Sequence, residues 1–171
     1  AHAAEVFTTA ASAGSHIWHK NVNWRLFRIL APAGVIGGVI GTYVLTSFDG
    51  SVLRPFVAAY LAVMGIYILY RPQATVAQTS RVVTPLGAVG GFMDAVGGGG
   101  WCPVVTTGLV GTGGAPRETI GTVNTVEFFL TAAISVSFLV AMLAGHWEES
   151  EGLSSYAAAV AGLIVGGVAA G

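Results

Sequence analysis

Four consecutive glycines, Gly97, Gly98, Gly99 and Gly100, are followed at once by Trp101, Cys102 and Pro103. Glycine lets the backbone approach a ligand and adopt positive φ, and proline suits the first turn of a helix. A helix starting at Pro103 would present unsatisfied amides, which attract an anion without a buried positive side chain. The segment fits that chemistry, since no Lys or Arg occurs between Arg81 and Arg117. The competing reading is that these glycines only allow helices to pack closely. Trp101 would wall a pocket or stand in an interfacial aromatic belt. Cys102 would be a ligand contact or simply a small buried hydrophobe.

A second group lies just beyond. Gly121, Thr122, Asn124, Glu127, Thr131 and Ser135 follow the glycine run, and three- and four-residue spacing puts Asn124, Glu127, Thr131 and Ser135 on one helix face. His2, Glu5 and Thr9 form a matching stripe near the start of the chain. Ionisable groups inside a membrane are costly and face a bundle interior or a water path. Glu5, Glu127 and His2 are therefore candidates for proton coupling, His2 because an unperturbed imidazole titrates near neutrality. The alternative is a protonated glutamate that hydrogen-bonds between helices. Asp94, three residues before the turn, is placed to cap or brace it. His16, His19 and His146 fall in loops and read as solvated. Without further ligands near His16 and His19, no metal site is expected, and no cofactor. The run GTGGAPRET at 111–119 lacks the Lys-Ser/Thr of a phosphate-binding loop. No serine and histidine form a nucleophile arrangement, so an enzyme is not expected.

The elements that must hold these residues are membrane helices. Of 171 residues only 9% are charged and 54% are hydrophobic, against about a quarter charged in an ordinary soluble domain. A net charge of −1 excludes electrostatic attraction to nucleic acid. A mean hydropathy of +0.74 excludes disorder. The single cysteine permits no intramolecular disulfide. Charge-free runs at 29–48, 55–70, 128–145 and 152–171 hold 20, 16, 18 and 20 residues. Each suffices, the second marginally, to cross a hydrocarbon core of about 30 Å. The run 82–115 is broken by glycines and reads as a re-entrant hairpin, with its turn at 97–100 near mid-depth. Irregular backbone there must be buried in protein or line a cavity.

Lys20, Arg25, Arg28, Arg71 and Arg81 mark the cytoplasmic loops, and Glu148, Glu149 and Glu151 the opposite side. The expected fold is all-α: a polytopic transmembrane bundle with inverted-topology repeats and a broken-helix hairpin. Residues 1–80 would be the remainder of a first repeat. Residues 81–171 would be the second, comprising hairpin 82–115 and spanning helices 117–145 and 152–171. The segment 1–15 is too short to span and reads as half of a cut helix, so the chain reads as an internal fragment.

The repeat is visible as a shift of 122 positions. It aligns residues 2–13 with 124–135, and five of the twelve pairs are identical, Glu5 with Glu127 and Thr9 with Thr131 among them. In the next helix Ala33-Gly34 matches Ala161-Gly162, and Gly37-Gly38-Val39 matches Gly166-Gly167-Val168. The loops between are oppositely charged, so the repeats would point in opposite directions, as in many secondary transporters.

The run GGFMDAVGGGGWCPVVTTGLVGTGGAPRETIGTVNTVEFFLT at 90–131 resembles the second-repeat signature of the TauE/SafE sulfite exporter family, and the resemblance continues in the first repeat through the basic loop HKNVNWRLFR. The resemblance implies a multi-pass protein of the cell membrane that moves sulfite or organosulfonates outward by alternating access. Its partners would be a small sulfur-containing anion and the lipid bilayer, with a homo-oligomer left open. Substrate contacts would come from 97–103 and from Gly121, Thr122 and Asn124. A passive anion channel and a non-transporting membrane scaffold are the alternatives. Cys102 departs from the family pattern, which has glycine there, and a thiol would narrow the pocket.

Overall fold

The computed structural model describes residues 2–48, 80–145 and 161–167, with eight helical positions between 55 and 70. The loops holding Arg71 and Glu148 to Glu151, and most of the run 152–171, lie outside the described residues. The elements are α1 (His2–Trp18), α2 (Trp24–Ser47), α3 (Ser80–Gly97), a wide π-type turn (Cys102–Thr106), α4 (Thr107–Gly111) and α5 (Pro116–Leu143). No strand occurs among the described residues.

Local chemistry sets the helix starts. Asn23 caps α2, its Oδ1 accepting from the Arg25 and Leu26 amides at 3.1 and 3.2 Å. Pro116 opens α5 at a position where its missing N–H costs nothing. Gly98, with φ +68°, ends α3 and reverses the chain.

Packing follows the small residues. A Cβ on Gly37 would strike the Ala88 carbonyl, and one on Gly91 would strike the Gly34 carbonyl. Both glycines thus let the backbones of α2 and α3 touch, the small-residue contact typical of helices in lipid. Gly91→Ala should therefore destabilise the fold by about 1–3 kcal/mol through overpacking. Thermal unfolding in detergent reads this directly, and an unchanged midpoint would show that the two backbones can separate freely.

Helix α5 packs against both α1 and α2. The core between α2, α3, the turn and α5 is built from Leu30, Val83, Trp101, Val105, Val126 and Leu130, all fully buried. Ile36, Ile40, Tyr43, Val136, Leu139 and Leu143 point outward instead. Apolar surface of that extent is not left to water. Trp24–Ser47 and Pro116–Leu143 are each long and apolar enough to cross a membrane.

Residues 122 positions apart meet where α1 crosses α5. Thr9 Oγ1 lies 3.4 Å from Thr131 Oγ1. Two neighbouring contacts are related by the repeat alignment, which pairs Thr8 with Leu130 and, at a shift of 129 in the next helix, Gly38 with Gly167: Gly38 faces Leu130, and Gly167 faces Thr8.

Candidate functional site

The glycine turn is held from within. Asp94, 2% exposed, sits in the last turn of α3 and accepts the Trp101 amide on Oδ1 at 3.1 Å. It braces the turn, and it occupies an amide that would otherwise be available to an anion. Gly98 and Gly99 are exposed, whereas Gly100 is wedged against Met93.

Trp101 is fully buried. Its ring fills the notches left by Gly34 and Gly90, and its Nε1–H donates to the Val123 carbonyl at 3.1 Å. The indole therefore pins the turn to α2 and α5. Pro103 falls inside the wide turn, where its missing N–H helps to displace the ordinary helical ladder.

Cys102 leaves the turn toward α5. Its Sγ lies 3.5 Å from Glu127 Oε2 and 3.8 Å from Asn124 Oδ1, with the thiol as donor. Asn124 Nδ2 donates in turn to Ser12 Oγ at 3.2 Å and lies 3.3 Å from His16 Nε2. A continuous polar chain thus runs from the turn through α5 to α1.

His16 is a correction to the loop reading: it belongs to the last turn of α1. Burial, with His19 beside it, lowers its pKa below the ordinary imidazole value. A neutral ring can accept from Asn124 at physiological pH. The sequence held the signal, because His2, Glu5, Thr9, Ser12 and His16 continue one three- and four-residue stripe.

The remaining candidates divide. Gly121 packs on Asn21, and buried Thr122 accepts the Asn23 amide at 2.8 Å while donating to the Glu118 carbonyl at 2.6 Å. These two hold the 19–23 loop. His2 and Glu5 stand side by side on α1, with Nδ1 and Oε2 2.8 Å apart, and a ligand atom of each lies within 4.8 Å of an Asp94 carboxylate oxygen. The structure thus assembles two groups near the turn: Cys102, Asn124 and Glu127 in one, and His2, Glu5 and Asp94 in the other.

Apolar helices of spanning length, a glycine-packed interior and polar groups enclosed within it are the features of a helical membrane protein. The family model for the sulfite exporter TauE/SafE matches residues 1–171, and the chain belongs to that family of membrane transporters. A curated relative, the probable membrane transporter protein YtnM of Bacillus subtilis (strain 168), is 36% identical over 179 aligned positions. The alignment covers 99% of this chain and 59% of that relative, so the chain spans little more than half of the relative's length. No solved structure matches it.

Proposed function

We propose that the chain is part of a multi-pass secondary transporter of the cell membrane that exports a small sulfur-containing anion, sulfite or an organosulfonate, by alternating access. The observation that carries this reading is the trio of repeat-related contacts where α1 crosses α5. Thr9 beside Thr131 is a contact between a residue and its own counterpart, which arises on a two-fold axis. Under the same alignment Gly38 with Leu130 becomes Gly167 with Thr8, and both contacts are present. That pattern supports two inverted repeats crossing at mid-membrane, the arrangement in which one repeat rocks against the other around a fixed site.

The site would lie beside that axis. The glycine turn and Cys102 form one wall, Asn124 and Glu127 the other, and the exposed Gly99 backbone, together with the thiol and the Asn124 amide once turned from their present partners, would offer hydrogen bonds to oxyanion oxygens. Glu127 is the leading proton-coupling group, with its repeat counterpart Glu5 and the neighbouring His2 as the further candidates.

The test uses the full-length protein in proteoliposomes. Sulfite or sulfonate efflux should saturate with concentration and respond to a pH gradient. Non-saturating flux with electrical conductance would replace the transporter by a channel. No flux of any sulfur anion would leave a scaffold.

A further inference from the structure

We propose that His2, Glu5 and Asp94 form a binding site for a divalent transition-metal cation. A nitrogen of His2 and one carboxylate oxygen from each of Glu5 and Asp94 lie within 4.8 Å of one another. Three such atoms share a point no more than about 2.8 Å from each. Side-chain shifts of roughly 0.6–0.8 Å would bring them to the 2.0–2.2 Å of a metal bond.

Two buried polar atoms of this group have no hydrogen-bond partner. Asp94 uses Oδ1 for the Trp101 amide, while its Oδ2 is buried without a hydrogen-bond partner. His2 Nδ1 is likewise buried and lies 2.8 Å from Glu5 Oε2 without the alignment of a hydrogen bond. Buried polar atoms are ordinarily satisfied, so two that converge on a third ligand call for a shared partner. The supports are in place as well: His2 and Glu5 are three apart on one helix face. The imidazole stacks on Phe138, with centroids 5.9 Å apart and planes at 19°.

Charge selects the kind of partner. Two carboxylates face each other with no lysine or arginine in ion pairing among the described residues, and α1 contains neither. A divalent cation would cancel both charges at once, in a place where net charge is costly. One imidazole and two carboxylates suit Zn²⁺, Mn²⁺ or Fe²⁺ better than Na⁺ or Ca²⁺, and three protein ligands leave a coordination position open. A filled site would also remove the repulsion that Glu5 and Asp94 otherwise exert on a passing anion. It ties α1 to the glycine turn, joining the two repeats at a second point, and it leaves Glu127 as the exchangeable proton carrier.

The experiment is a Zn²⁺ titration of the full-length protein, purified in detergent and stripped of metal. One equivalent per chain is expected. Glu5→Gln, His2→Gln and Asp94→Asn should each weaken binding by about tenfold or more, while H19Q leaves it unchanged. Asp94→Asn keeps an acceptor for the Trp101 amide, and metal-free unfolding midpoints close to wild type establish that the variants are folded. Co²⁺ gives the second readout: its visible ligand-field bands should be present in the wild type and lost in His2→Gln. No Zn²⁺ binding up to millimolar, or binding that survives both Glu5→Gln and His2→Gln, overturns the site. Binding is read without flux, so a failed titration leaves the transport reading intact. A protein that holds Zn²⁺ but moves no anion overturns only transport.

Discussion

Trp101→Ala should lower the stability of the folded protein by about 3–5 kcal/mol, the cost of emptying the space of a fully buried large side chain. The indole is 0% exposed and packs where Gly34 and Gly90 have no side chain of their own to fill the gap. The loss has two parts that a pair of variants separates. Trp101→Phe keeps much of the apolar contact but removes the Nε1–H that donates to Val123, which should cost about 0.5–1.5 kcal/mol. The remainder belongs to the cavity. Chemical unfolding in detergent measures both, and equal losses for the two variants would show that the hydrogen bond rather than packing holds the turn. Flux should fall in Trp101→Ala even at temperatures where the protein stays folded, because the same ring fixes Cys102 against α5. An alanine variant of wild-type stability would mean that the turn is anchored elsewhere.

The reason this tryptophan matters was only half legible in the sequence. The all-helical class could be read from four charge-free runs separated by charged or turn-rich segments, because helix length in lipid is fixed by bilayer thickness. The family could be read from the glycine run with Trp101 and Pro103, since those residue types are tied to one local backbone shape. Neither signal says which glycine in α2 the indole meets. Gly34 lies 67 positions before Trp101, and that pairing is settled by how α2 and α3 slide along each other. Asp94 illustrates the same limit: its bracing of the turn followed from its nearness in sequence, but its meeting with His2 and Glu5 depends on where α1 lies. Gly121 and Thr122 share a helix with Asn124, yet they hold Asn21 and Asn23 because the loop passes over that end of α5. His16 was hidden by helix length. The stripe from His2 to Thr9 was visible, and its continuation to Ser12 and His16 required α1 to run on to Trp18.

Glu127→Gln should abolish the response of flux to a pH gradient while leaving the protein folded. The glutamine has nearly the same volume and keeps an oxygen to accept from the Cys102 thiol, which lies 3.5 Å from Glu127 Oε2. What it lacks is an exchangeable proton. For one proton moved per anion, a gradient of one pH unit is worth about 1.4 kcal/mol, or a tenfold accumulation of substrate. Wild-type proteoliposomes should approach that ratio, and the variant should fall to about one while still exchanging labelled anion for unlabelled anion. The comparison with Glu5→Gln makes the result specific. Glu5 is the repeat counterpart of Glu127, but its carboxylate is paired with His2 rather than with the turn. If the two halves carried protons alike, both variants would lose the gradient response equally. The geometry instead puts Glu127 beside Cys102 and Asn124, where a bound anion would sense its charge directly, and gives Glu5 to the cluster with Asp94. Glu5→Gln should therefore retain a gradient response that Glu127→Gln loses. Tenfold accumulation persisting in Glu127→Gln would remove that carboxylate from the coupling path.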